Sequence, residues 1–375
     1  MSFYHIFVRV LVPLVYMGVV ALPKKYVKYV VNTGFLFAVF LTTFYLVFKD
    51  RELNAVLDSI HRAKNGYIVL GMFLSLMFLC SESVIIQYLM HTVKQQVSFL
   101  QCVKYSFVGF FFSAITPSAS GGQPMQVYSM SRDGINVAVS TVVLMIVTAA
   151  YKTVLIILCL IAAIFEWNYI SIHASNIWFL ILFGIIANVG FVLFLIIAVF
   201  KQSFVTKIVG KSILWLGKHK IIKNRDKWLR KTLKTLKKYD KSADYLKGNK
   251  KVLFHVFIIT ILQRLSLFSV TYVIYLAFGL RGASAFEIIA LQTIIALAVD
   301  SLPLPGGMGA SESSFLVIFL TIFGEEFVLP GMLLSRGITY YALIIISALV
   351  TVLSSLTQKR KKNLESGGQL YDRIL

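Results

Sequence analysis

Along this chain the apolar residues neither alternate nor recur at helical spacing. They run on. Continuous apolar stretches predict helical membrane spans near residues 27–48, 67–90, 137–165, 176–200, 251–279 and 328–356. A helix of roughly 24 residues is about 36 Å long, enough to cross a bilayer with some tilt. In lipid every backbone N–H and C=O needs an internal partner, so helices are the default. The short alternating segments of a membrane barrel are not seen. The fold class read from this pattern is all-α, a polytopic integral membrane protein. Two further apolar regions are interrupted. Region 98–135 is broken by "TPSASGGQP", Thr116 to Pro124, and region 285–324 by "LPLPGGMGASE", Leu302 to Glu312.

Composition supports the membrane reading. Of 375 residues, 58% are hydrophobic and 14% charged, whereas a soluble domain is nearer half apolar and a quarter charged. The formal net charge of +21 would favour nucleic acid in a soluble protein. Here the basic residues crowd into loops beside the spans, which is the positive-inside bias, so no nucleic-acid partner is expected.

That bias orients the chain. Lys and Arg dominate 201–250, against Asp226, Asp240 and Asp244, and "KRKKN" (Lys359 to Asn363) follows the last span. Both are expected on the cytoplasmic side. The 166–176 connection has no Lys or Arg and is expected outside. Tracing the spans from these anchors makes 98–135 a re-entrant hairpin dipping from the inside, and 285–324 one dipping from the outside. The expected organisation is an N-terminal interfacial or marginal membrane segment over 1–23, a first membrane half over 24–200, a basic cytoplasmic loop over 201–250, a second half over 251–356 and a cytoplasmic tail over 357–375. The halves are then inverted-topology repeats with broken helices. The alternative is that both interrupted regions cross fully, kinked at Pro and Gly. Residues 10–22 match a signal-peptide core in length but lack a small-residue cleavage site.

The breaks carry the first candidate chemistry. A half-helix that starts at membrane depth offers free N–H groups and a dipole that favour an anion. Gly121 and Gly122 before Pro124, and Gly306, Gly307 and Gly309 before 311–323, suit that role. Phosphate is the natural anion if the ligand is a lipid. Tight helix packing is the alternative reading of these glycines. Ionisable residues within apolar segments are costly and point to function. They are Glu82, Lys152, Arg264, Asp300, Glu312 and Arg336, with Lys104 nearer the cytoplasmic side. The first six comprise three acids and three bases, so internal ion pairing is one reading. In the other, Arg264 and Arg336 hold phosphate, while Asp300, Glu312 and Glu82 hold a cationic group or a proton. Lys152, Tyr340 and Tyr341 would line the same cavity. The segment Lys227 to Lys241 patterns as a basic amphipathic helix suited to an anionic lipid surface, or as an ordinary solvated loop.

Standard catalytic signatures are missing: "GASES" (Gly309 to Ser313) is no nucleophile elbow, and there is no phosphate-binding nucleotide loop. The six His are scattered, and Cys80, Cys102 and Cys159 have no regular spacing. No catalytic residue, metal or cofactor is therefore expected.

The stretches "TPSASGGQPMQVYSMSRDGI" and "LPLPGGMGASES" resemble the lysylphosphatidylglycerol synthase transmembrane (flippase) domain family, in its stand-alone form without the C-terminal aminoacyl-transferase domain. The resemblance covers roughly 24 to 356. In the family pattern Gln123 stands at a Glu position and Gln126 at an Arg position, which looks like a compensated pair. Arg132 and Gly134 match the following turn. Pro303, Pro305, Gly306, Gly307, Gly309 and Glu312 match the second motif, and Arg336 matches a basic position in the last helix.

The resemblance implies a phospholipid flippase, moving lysyl-phosphatidylglycerol or a related lipid in a bacterial cell membrane, and no enzyme activity in this chain. It leaves open a homo-oligomer and a separate lipid-modifying synthase as partners. Alternatives are a small-molecule or ion transporter on the same architecture, or the membrane part of an aminoacyl-phospholipid synthase under a phosphatidylglycerol lysyltransferase label.

Overall fold

The computed structural model describes residues 53–200, 241, 243–245 and 248–356. The span expected at 27–48, the 1–23 segment, the amphipathic segment of the basic loop and the tail lie outside these residues or almost wholly so.

The described residues are helical. In order they form α1 (Leu53–Arg62), α2 (Asn65–Thr92), α3 (Phe99–Ala114), α4 (Gly122–Arg132), α5 (Val137–Phe165), α6 (Trp167–His173), α7 (Trp178–Phe200), α8 (Lys250–Ala277), α9 (Ala285–Val299) and α10 (Ala310–Ile318). A last long helix, α11, runs over Leu320–Leu356. Five helices are long and apolar enough to cross a membrane, at Asn65–Thr92, Val137–Phe165, Ser175–Ala198, Lys250–Ala277 and Leu320–Leu356. They coincide with the five apolar runs predicted after residue 53. Within α11 the helical path breaks at Gly324, with φ 74° and ψ 166°, and Pro330 is tolerated in the segment beyond. The outer face of α7 shows how the bundle meets lipid: Phe179 is 81% and Ile186 65% exposed. Apolar surface of that extent marks contact with membrane rather than water.

The centre of the bundle is the pair α2 and α8, which run antiparallel along their whole length. Tyr88 meets His255 at 3.2 Å, the Gln263 amide donates to the Phe78 carbonyl at 3.0 Å, and the Lys64 N–H donates to the Ala277 carbonyl at 3.0 Å. Each is followed in sequence by a pair of shorter helices. Both pairs open with the same device. Ser98 caps α3 while the Gln101 side chain accepts from the Ser98 N–H at 2.8 Å, and Ser284 caps α9 while Glu287 accepts from the Ser284 N–H at 2.6 Å. Such reciprocal caps satisfy two orphan donors at once, and losing the cap costs about 1 kcal/mol.

The two pairs start from opposite ends of the α2–α8 core. The α3–α4 pair begins beside the C-terminal end of α2, where His91 meets the Val97 carbonyl at 3.0 Å. It ends there too, because Asp133, just past α4, receives hydrogen bonds from Lys104 and Tyr105 of α3. The α9–α10 pair begins beside the C-terminal end of α8, where the Gly282 and Ala283 N–H groups donate to the Tyr275 hydroxyl at 2.6 and 2.9 Å. The chain returns to the same place after α10, where the Phe323 ring packs 5.4 Å from that of Tyr275.

Candidate functional site

Between α3 and α4 the chain leaves the helix over 115–121, and between α9 and α10 over 300–309. The two breaks meet. An antiparallel bridge pairs Pro117 with Pro305, and the Ser118 hydroxyl donates to the Leu302 carbonyl at 3.2 Å. Non-helical backbone deep in a membrane bundle must find protein or water partners, and here each break supplies part of the other's. Ser118 and Ala119 both have positive φ, 49° and 52°. Such conformations are costly for non-glycine residues and cluster at functional sites. Gly306, at φ +56°, is fixed by a close approach, since a Cβ there would lie 2.0 Å from the Tyr340 hydroxyl. That hydroxyl donates across to the Ala114 carbonyl at 2.9 Å.

Each half-helix start already has internal partners. At the first break the Gly121 N–H donates to the Thr116 hydroxyl at 2.9 Å, and Gly122 is pressed against Ser113 of α3. At the second, Glu312 supplies the anion from within α10: it accepts the Gly309 N–H at 2.8 Å and the Arg336 Nε at 2.9 Å. Phosphate was expected at both helix starts; the Gly121 and Gly309 N–H groups there already have partners within the protein. Gly121 and Gly122 serve close packing, and Gly309 is capped by the protein's own carboxylate.

The breaks floor a cavity of about 250 Å³ between α2, α3, α5, α8, α9 and α11. Of the predicted residues, Gly306, Gly307, Arg264, Arg336, Asp300 and Tyr340 line it. Glu312 and Lys152 stand behind it, each paired with a lining residue. Arg336 is held by Glu312 and by the Gly306 carbonyl at 3.1 Å, just before a π-helical turn over Gly337–Ala342. Asp300 is gripped at one oxygen by the Tyr151 hydroxyl and at the other by Lys152. Tyr151 drew no attention in the sequence, although it adjoins Lys152.

Arg264 is different. Its guanidinium lies over the Tyr151 ring at 3.7 Å and the Phe78 ring at 4.9 Å. Its Nε is buried without a hydrogen-bond partner, and among the described residues it joins no ion pair. A guanidinium with open donors beside a cavity has the chemistry to receive an anion.

Other predicted residues fall outside the cavity. Gln123 and Gln126 do not pair with each other. The Gln126 amide donates to Glu82 at 2.7 Å, pressed so closely on Gly109 that a Cβ there would lie 2.3 Å away. Gln123 donates to the Thr148 hydroxyl. Arg132 ends α4 on the exposed side, 5.9 Å from the Tyr128 ring, and Tyr341 packs edge-on to Tyr340. Among the described residues no group of His, Cys, Asp and Glu is placed to hold a metal ion.

The family description "Lysylphosphatidylglycerol synthase TM region" matches residues 30–347. The chain belongs to this family. It is also 22% identical, over 325 residues, to a protein of Archaeoglobus fulgidus named "UPF0104 membrane protein"; the match covers 85% of this chain and 95% of that one. Within the lysylphosphatidylglycerol synthase TM family, then, this is a multi-pass, all-α membrane protein whose two broken segments meet at a largely apolar cavity that Arg264, Asp300 and Arg336 line.

Proposed function

We propose that this protein moves a phospholipid between membrane leaflets, its headgroup passing through the cavity beside Arg264 and its acyl tails remaining in the bilayer. The observation that carries this reading is the unpaired Arg264 guanidinium, partly buried in a bundle that is otherwise clad in apolar surface. A cation kept without a partner at that depth is expensive and implies a ligand. Cavity size agrees. About 250 Å³ is below the volume of ordinary small-molecule pockets. It accommodates a headgroup and leaves no room for acyl chains.

The architecture supports alternating access. Helices α3 and α9 have 16 and 15 residues, short of the ~20 that span a hydrocarbon core. Each pair of short helices is therefore read as a re-entrant hairpin, one from each side of the membrane, with the basic 201–250 loop cytoplasmic. In an inverted repeat of this kind, rocking one half against the other exposes the central site to each side in turn. The chemistry required is binding and release. No bond is made or broken, so the protein is read as a carrier in the cell membrane and not as an enzyme.

The test is reconstitution in liposomes containing acyl-labelled phosphatidylglycerol in both leaflets, with a membrane-impermeant quencher outside. Wild type is expected to expose the inner-leaflet label, and Arg264→Gln to leave it protected as in protein-free vesicles. Wild-type vesicles that quench only the outer leaflet would overturn the proposal.

A further inference from the structure

We infer that the headgroup taken by this cavity carries a phosphate-type negative charge and no ammonium group; the inference rests on the headgroup reading above and narrows it. Asp300 is the acid that reaches the cavity wall, and both of its oxygens are taken, one by Tyr151 and one by Lys152. Glu312, behind the wall, is likewise taken at both oxygens, by Arg336 and by the Gly309 N–H. Glu82 is turned onto Gln126 and does not line the cavity. Among the described residues an incoming ammonium thus finds no free carboxylate on the cavity wall.

Aromatic faces are the other natural seat for a cation. Six aromatic rings line the cavity: Tyr151 and Phe78 lie under Arg264 and Tyr340 under Arg336 at 4.5 Å, Phe268 and Phe315 are each only 3% exposed, and Phe110 packs edge-to-face with Phe78. The charged and amide groups that remain open are donors. The Arg264 guanidinium has no hydrogen-bonded partner among the described residues. The Gln292 side chain uses its oxygen to accept from Thr271 at 3.2 Å, which leaves its NH₂ group to donate into the same cavity. A guanidinium with an amide donor suits a phosphate oxygen pair. Moving an amine-bearing headgroup in would require first breaking the Lys152–Asp300 or the Arg336–Glu312 pair. The net charge is consistent with this. Asp300 and Glu82 act electrostatically on Arg264 while their hydrogen bonds go to other groups, so its charge is offset and its donors stay open.

The experiment measures binding and transport on the same protein. Purified wild type and Arg264→Gln are titrated in detergent with phosphatidylglycerol, phosphatidylethanolamine and lysyl-phosphatidylglycerol of identical acyl chains, and with water-soluble glycerol 3-phosphate. The same three lipids are then followed in the liposome assay. Wild type is expected to bind phosphatidylglycerol at least about tenfold more tightly than either amine-bearing lipid, the size expected for charge-assisted hydrogen bonds. Arg264→Gln should erase that preference, and Arg264→Lys should keep part of it, which separates a lost charge from a misfolded variant. Equal or tighter binding of lysyl-phosphatidylglycerol would overturn the inference. Glycerol 3-phosphate competing mole for mole with the lipid would overturn a lipid source for the phosphate. Equal movement of all three lipids would sink the charge selectivity while sparing the translocation reading. Selective binding with no movement of any lipid would do the reverse.

Discussion

Replacing Glu312 by Gln tests whether the Glu312–Arg336 pair holds the second break together. The Glu312 side chain is 3% exposed and that of Arg336 15%, so neither is rescued by water. Glu312 serves two donors, the Gly309 N–H and the Arg336 Nε, and an amide has one oxygen to give. Removing one member of a buried pair typically costs about 3–5 kcal/mol, because the other charge is left without compensation. Arg336 keeps the Gly306 carbonyl and the Tyr340 ring, which places the cost at the lower end, about 3 kcal/mol. On the scale of soluble domains this lowers Tm by about 5–10 °C. The assay is thermal unfolding in detergent at one fixed scan rate, since unfolding of such a protein is expected to be irreversible. The companion is Glu312→Gln with Arg336→Met, which removes the stranded charge and should recover most of the loss. Single losses that simply add in the double variant would show that the two charges are not coupled, and the reasoning would fall.

Three more outcomes follow from the same geometry. Gly306→Ala combines a positive φ with a Cβ 2.0 Å from the Tyr340 hydroxyl, and should cost about 1–3 kcal/mol, read as a lower Tm; an unchanged Tm would mean the tip is not closely packed. In a background lacking Cys80, Cys102 and Cys159, Pro117→Cys with Pro305→Cys should cross-link on mild oxidation, because paired Cα atoms in an antiparallel bridge lie about 4.5–5.5 Å apart. Oxidation should stop lipid movement and reductant restore it; transport that continues through the cross-linked protein would show that the tips need not part. Lys152→Met frees one Asp300 oxygen, so it should weaken phosphatidylglycerol binding and admit an amine-bearing lipid, as titration of both would show.

The spans were legible in the sequence because a continuous apolar run has few alternatives to a membrane helix. The breaks were legible because Pro and Gly mark them. Pairing was not. Lys152 and Asp300 lie 148 residues apart, and the register of α5 against α9 decides that they meet. Counting three acids and three bases suggested a balanced set in which every charge has a mate. The structure makes two direct pairs, turns Glu82 onto a neutral amide and leaves Arg264 open. The glycines were ambiguous for a related reason. A Gly-Gly pair before a helix looks the same whether it bares N–H groups to a ligand or lets Ser113 come close, and only the position of α3 separates the two.

The contact between the two breaks has a consequence for when the protein can open. At Pro117, Ser118, Leu302 and Pro305 each tip supplies polar contacts to the other, and the Ala114 carbonyl is served by Tyr340 from across the gap. Pulling the tips apart strips these groups, and a hydrocarbon tail has nothing to offer in return. Opening is therefore open only to visitors that bring hydration or hydrogen-bonding atoms with them. On the proposed translocation reading, the seam would act as a polarity lock ahead of any charge recognition: bare lipid tails would leave it shut, and an arriving headgroup would carry the key in its own water shell.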